Sequence, residues 1–307
     1  MSDFTIDKSV FPMQLARLGD SRNVEECRSI IARLLELMKL DKEEFSKALN
    51  IFDDIYSLYC GNFPGYKSCD TEYHDFRHVI DVTLASLRIT DSLILSGEKF
   101  SKHNIFLVAI AAIFHDTGYI PEIDDPVENG AVYTSTHVRR SMVFAEKYMS
   151  QRGYSAEDIE KTKEMILLTD LSVKLVDIKF FDAETERFAK ILASADLIGQ
   201  MADRIYLEKL LFLYREFKMG HIPFYTSEED LLTKTIGFFK IMEERLTNTL
   251  DGVNAKLLIH FQKRYDIDED LYRKGMNNNL AYLTKILNEH PGHHREFLRR
   301  DNMVKKL

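Results

Sequence analysis

The chain predicts an all-α fold. Apolar residues recur at helical spacing through most of its length, and only 13 Gly and 6 Pro interrupt 307 residues. No stretch alternates apolar and polar residues in the way a half-buried strand does. A chain of this length can bury a large core as one or two domains. The expectation is a single helical domain over 1-307.

The elements follow in order. From Asn23 to Leu40, the residues Ile30, Leu34, Leu37 and Met38 form one apolar stripe. Asp41 opens a second helix, with Glu43 and Glu44 in its first turn. It runs to about Cys60, where Gly61-Asn62-Phe63-Pro64-Gly65 ends it. The run Tyr73-His74-Asp75-Phe76-Arg77-His78-Val79-Ile80-Asp81-Val82 begins a third helix, reaching about Leu95 and stopping near Gly97. Lys102 to Phe114 is an apolar helix that ends at His115-Asp116, where Gly118 and Pro121 break it. Ile120 to Val127 is an acidic loop. Glu128 through Met149 reads as helix, with a turn at Gln151-Arg152-Gly153. Ser155 caps the next helix, which carries Glu157 and Asp158 in its first turn and runs to Thr169. Glu184 to Gly199 and Met201 to Met219 follow, then Glu228 to Thr249 and Asp268 to Asn288.

Composition narrows the function. Charged residues are 29% and hydrophobic ones 45%, as in a soluble globular protein. A net charge of -8, from 41 basic and 49 acidic residues, argues against a surface that coats a nucleic-acid polymer. Cys27, Cys60 and Cys69 have no zinc-type spacing and read as reduced thiols. No apolar run of about 18 residues predicts a membrane-spanning helix. Met1 to Asp7 lacks the basic-then-apolar order of a signal peptide, so a cytoplasmic location is expected.

The chemistry sits where imidazole and carboxylate groups enter otherwise apolar sequence. His74 and His78 share a face if the run that holds them is helical. His-Asp occurs twice, at His74-Asp75 and His115-Asp116. Neither pattern is specific alone, since chance supplies about 0.3 His-x-x-x-His pairs and about 0.8 His-Asp dipeptides in such a chain. Asp196 adds weight, because it lies in the nearly all-apolar run from Ala189 to Gly199. A carboxylate in a core calls for protonation, an Arg or Lys partner, or a metal. Two His and two Asp suit an octahedral divalent ion with positions open to water. His115 and Asp116 are adjacent and can both ligate only at an irregular turn, which Thr117-Gly118 supplies.

His78, then His115-Asp116, then Asp196 resembles the ordered ligand set of the HD-domain metal-dependent phosphohydrolase superfamily. The run Tyr73 to Val82 also resembles the Tyr-His-Asn-x-x-His-x-x-Asp-Val signature of cyclic-nucleotide phosphodiesterases, with Asp75 in place of Asn. The resemblance covers about 50-220. It implies an HD-domain helical bundle with additional N- and C-terminal helices, the latter an extension over about 221-307. It implies a metal-dependent phosphohydrolase acting on a phosphoester of a nucleotide-like small molecule, as a phosphodiesterase or phosphomonoesterase.

The ligands it implies are His78, His115, Asp116 and Asp196, holding Mn, Fe, Mg, Ni or Zn. His74 corresponds to the general acid that protonates the leaving alkoxide, and the alternative is a helix-surface histidine capped by Asp75. Asp81 is placed to orient the free nitrogen of His78. The chain departs from the phosphodiesterase pattern His-Asp-x-x-His, because Tyr119 takes the last position. His137 and Glu128 are candidates for a second metal. The later His-His pair of dinuclear members, expected near Thr169-Asp170, is absent, which favours one tight metal. Arg77, Arg139 and Arg140 are candidates to pair with phosphate, and Gln200 to contact substrate. His290, His293 and His294 read as a surface cluster.

The expected partner is a small-molecule phosphoester, with no nucleic-acid polymer and no membrane. Two alternatives remain at this stage. One is a non-catalytic HD-type ligand-sensing or signalling module. The other is a di-iron oxygenase, against which the missing His pair counts.

Overall fold

A computed structural model of the chain describes Phe4, residues 13–127 and residues 129–307, with Lys306 described in its backbone only. Glu128 therefore lies outside the described residues, as do all of Met1 to Asp7 except Phe4. The principal helices are α1 (Val24–Leu37), α2 (Lys42–Tyr59), α3 (Phe76–Leu95), α4 (Lys102–Phe114), α5 (His137–Gln151) and α6 (Ala156–Leu167). The chain continues through α7 (Ala183–Ala202), α8 (Tyr206–Met219), α9 (Glu228–Glu244), α10 (Leu257–Tyr265) and α11 (Leu271–Glu289). The only pairing of extended backbone among the described residues is an isolated antiparallel bridge between Tyr66 and Glu122. The fold is all-α, and none of the described helices is long and apolar enough to cross a membrane.

Local chemistry sets many of the boundaries. Asn23, Asp41, Ser101, Ser155 and Asp182 each turn a side-chain oxygen onto a free amide in the first turn of the helix that follows. Such a cap stabilises a helix end by about 1 kcal/mol. Acidic residues after the cap, such as Glu43 and Glu44 or Glu157 and Asp158, complement the positive end of the helix dipole.

Helices α3, α4 and α7 form the interior. Every residue of α4 from Asn104 to Phe114 is buried, so the helix is apolar around its whole circumference and has neighbours on all sides. Full burial of one Ile, Leu or Phe side chain stabilises the fold by roughly 1.5–3 kcal/mol. Helix α3 packs along α7 and against α4, with α1 and α10 on its outer side. Helices α2, α5 and α6 close over α4, and α11 covers α7. A single apolar cluster runs from Met13 to Leu298, so helices near both ends of the chain share the core. Helices α3 and α7 pack closely at Gly199, where a Cβ would stand 3.4 Å from the Asp81 backbone. Those two helices carry His78 and Asp196.

Three sequence expectations need correction. Helix α3 begins at Phe76 rather than at Tyr73, because Asp75 is its cap and accepts from the His78 amide at 3.2 Å. His74 therefore precedes the helix, and the shared-face argument does not place it. The helix expected from Glu128 begins at His137 instead; before it, Asn129 caps a 3-10 turn over Gly130–Tyr133. The helix expected from Met201 begins at Tyr206, where Asp203 turns the chain and accepts from the Ile205 amide. Helix α10 and a π-helical turn over Arg245–Thr249 were not expected. The three cysteines are free, as expected.

Candidate metal centre

His78 projects from the first turn of α3, His115 caps the C-terminus of α4, and Asp116 follows in the irregular turn that Thr117–Tyr119 continues. All three are buried and their donor atoms converge. Asp196 arrives from α7. His78 Nε2 lies 3.3 Å from His115 Nε2, 3.3 Å from Asp116 Oδ2 and 3.1 Å from Asp196 Oδ1. His115 Nε2 is 3.4 Å from Asp116 Oδ2 and 4.0 Å from Asp196 Oδ1. Ligands about 2.1 Å from one ion stand about 3.0 Å apart when cis and about 4.2 Å apart when trans. The separations among His78, His115 and Asp116 fit one shared ion, and Asp196 approaches that group from the side of His78.

Two further observations test that fit. Asp116 Oδ2 is buried without a hydrogen-bond partner among the described residues, which is costly unless something else satisfies it. His115 Nδ1 donates to the Ala112 carbonyl at 2.7 Å, which fixes the tautomer that turns Nε2 inward as a lone pair. Without a cation the site is strongly self-paired. Burial alone would lower the His115 imidazole, but Asp116 beside it outweighs this and holds it up at about 9. Burial alone would raise Asp116, but His115, His74 and His78 together hold it well below the usual carboxylate range.

The other oxygen of Asp116 points elsewhere. Its Oδ1 is 3.6 Å from His137 Nε2, at the start of α5. His137 Nδ1 donates to the Thr134 carbonyl at 2.7 Å, and burial lowers its imidazole below the ordinary range. A neutral His137 thus presents a lone pair toward Asp116 Oδ1. Of the two second-metal candidates, His137 lies at the site and Glu128 falls outside the described residues.

Tyr119, where the phosphodiesterase pattern has histidine, stacks on both His74 and His137, with ring centroids 4.2 and 4.4 Å away. His74 is anchored from behind: its Nδ1 meets Glu216 Oε2 at 2.7 Å, and Glu216 Oε1 accepts from the Tyr73 amide at 2.7 Å. Burial alone would lower the His74 imidazole; Glu216, with Asp116 and Asp196 behind it, raises it above its ordinary value. His74 is thus a mostly covered, carboxylate-paired imidazole and not a surface histidine capped by Asp75.

Glu216 was missed in the sequence. The available signal was its burial pattern: Glu208, Phe212 and Glu216 recur every four residues along α8, and all three are buried.

The remaining candidates divide. Gln200 belongs to the site: it donates from Nε2 to Asp196 Oδ1 at 3.4 Å and accepts from the Tyr73 hydroxyl. Asp81 does not hold His78; it accepts from Ser21 Oγ at 3.3 Å and lines a cavity on the far side of α3. Arg77 lines that same cavity, 3.9 Å from Asp75. Arg140 is committed to the loop after Asp116. It donates from Nε to the Gly118 carbonyl at 2.8 Å, pairs with Asp125 and covers the Tyr133 ring. Arg139 is exposed. In the C-terminal cluster, His294 is mostly covered and meets Glu228, while His290 stacks on Phe297.

In comparisons with known proteins, the family described as Npun_R2479-like matches residues 126–245. That span holds His137, Asp196, Gln200 and Glu216, but not His78, His115 or Asp116. No curated protein matches the chain.

Proposed function

We propose that the chain is a single-domain, cytoplasmic metal-dependent phosphohydrolase of the HD-domain type, acting on a phosphoester of a nucleotide-like small molecule. The observation that carries this reading is the convergence of His78, His115 and Asp116, with Asp196 Oδ1 3.1 Å from His78 Nε2 and Asp116 Oδ2 without a hydrogen-bond partner among the described residues. A divalent ion held there supplies a water of lowered pKa and polarises a phosphoryl oxygen. The four side chains bind and orient; Gln200 holds Asp196, and the Ala112 carbonyl holds His115. His74 donates a proton from Nε2 to the leaving alkoxide, while Glu216 holds Nδ1 and keeps the ring charged. Asp116 Oδ1 and His137 Nε2 offer a second, weaker metal position.

One observation favours the second reading, a non-catalytic ligand-sensing module. Arg77 and Arg140, the cations expected at the phosphate, are engaged elsewhere. The experiment that separates the two is a screen of metal-loaded protein over cyclic nucleotides, nucleoside monophosphates, nucleoside triphosphates and a chromogenic phosphodiester. Turnover of any class that Asp116→Ala abolishes is expected. Inactivity with Mn, Fe, Mg, Ni and Zn alike contradicts the hydrolase reading.

A further inference from the structure

Arg77 and Asp81, which the sequence assigned to the metal centre, stand together on a separate cavity. Arg77, Asp81, Leu84 and Arg88 of α3 line it, at spacings that set them on one helix face. The end of α7, α11, the segment before α1, and Arg300 and Asp301 supply the other walls. The cavity holds about 180 Å³. Drug-sized ligands fill roughly 300–1,000 Å³, so this one suits a smaller molecule.

The charges on the α3 face are poorly matched within the fold. Asp81 is partly buried, and its side chain accepts only from Ser21 Oγ, at 3.3 Å, among the described residues. The cation beside it, Lys209, turns its Nζ to Asp75 at 3.2 Å and to Asp203 at 3.9 Å instead. Arg77 has only Asp75, at 3.9 Å, and its side chain is 38% exposed. Arg88 is buried and donates to the Tyr272 hydroxyl at 3.0 Å and the Leu18 carbonyl at 2.7 Å. Its Nε has no hydrogen-bond partner among the described residues, and no carboxylate there pairs with it. Most other charges on the walls have partners: Arg22 has Asp20 and Asp301, and Lys274 has Glu269. One wall thus offers a carboxylate without a cation and guanidiniums without a close carboxylate. Such groups are costly to cover, and a ligand of complementary charges offsets that cost.

We propose that this cavity binds a small zwitterion of the α-amino-acid type, its protonated amine on Asp81 and its carboxylate on Arg77. The two residues are one helical turn apart, about 6 Å of rise, which suits opposite charges carried close together on one small molecule. The planar fork of Arg77 matches the two oxygens of a carboxylate. Arg77 also lines the neighbouring groove beside Thr71 and Phe212, so it stands where the cavity meets the surface. The proposal does not rest on the phosphohydrolase reading, since none of His78, His115, Asp116 and Asp196 lines the cavity.

The test is calorimetric titration of the common α-amino acids into the full chain, for the wild type, Asp81→Asn, Arg77→Gln and Arg77→Lys. The unfolding temperature of each protein is measured without ligand. An amino acid that binds is compared with its decarboxylated amine and its deaminated acid. At least one amino acid should bind the wild type. Asp81→Asn and Arg77→Gln should each weaken that binding about ten- to a hundred-fold, and Arg77→Lys less. The amine alone and the acid alone should bind the wild type at least about ten-fold more weakly than the amino acid. Binding of no amino acid by the wild type overturns the proposal. So does equal affinity in wild type and Arg77→Gln, or an amine that binds as tightly as its amino acid. Because Arg77 reaches the surface, Arg77→Gln decides the question even if Asp81→Asn lowers the unfolding temperature.

Discussion

His74 and Glu216 lie 142 positions apart in sequence, and their side chains meet at 2.7 Å. The contact ties the segment before α3 to the last turn of α8, and it raises the His74 imidazole against the lowering effect of burial.

If His74 is the general acid, His74→Ala should slow a substrate with an alkoxide leaving group by ~10²–10⁴-fold. A nitrophenyl ester, whose leaving group needs no proton, should be much less affected. Metal content should stay near that of wild type, since His74 is not among the four converging donors. Equal slowing of both substrates removes the assignment.

Glu216→Gln gives the matching pH test. Glu216 raises the His74 imidazole against the lowering effect of burial. Without its charge the imidazole loses its proton at lower pH. The alkaline limb of the rate profile for the alkoxide substrate should therefore move to lower pH, while the nitrophenyl profile stays in place.

Away from the site, His103 joins three helices. Its Nδ1 meets Glu44 of α2 and its Nε2 meets Asp158 of α6, both at 2.6 Å. Burial alone would lower this imidazole, but the two carboxylates raise it above its ordinary value. A raised folded value means the stabilisation is fully present below about pH 6.5 and fades as pH rises through the folded value. The side chain is 44% exposed, so solvent screening limits the effect to about 0.5 kcal/mol. His103→Gln should lower the urea midpoint at pH 5.5 and leave it nearly unchanged at pH 9.5.

Gly118 is required by close approach. A Cβ there would collide with the His137 carbonyl and stand 2.7 Å from the Ser141 amide. Its own amide donates to Ser141 Oγ at 2.8 Å. Gly118→Ala should destabilise the fold by about 2 kcal/mol in a denaturant titration and push α5, with His137, away from Asp116. Unchanged stability would show that the turn yields more easily than this packing allows.

Much of the fold was legible because its signals are local. Asp41 and Ser155 start helices through their own side chains, and the unbroken apolar run before His115 could only be an interior helix. His78, His115, Asp116 and Asp196 stood out as candidates because each interrupts apolar sequence. What failed depended on competition or on distance. Asp75 can sit inside a helix or cap one, and capping won, which moved His74 out of α3. Asn129 made the same choice ahead of α5. Arg140 was close in sequence to the site, but the carbonyls of the Gly118 turn claimed it. Glu216 reaches His74 through tertiary packing that no short window contains. Helix α10 is nine residues long and mixes His260, Gln262 and Lys263 with its apolar positions, so its periodicity is short and weak.

The central claim is that four side chains from α3, the end of α4 and α7 hold one divalent ion. Metal analysis of purified wild type beside Asp116→Ala tests it most directly, with unfolding temperatures confirming that both are folded. The wild type should carry close to one equivalent of a divalent metal, and the variant should lose most of it. Equal metal content in the two folded proteins would contradict the assignment.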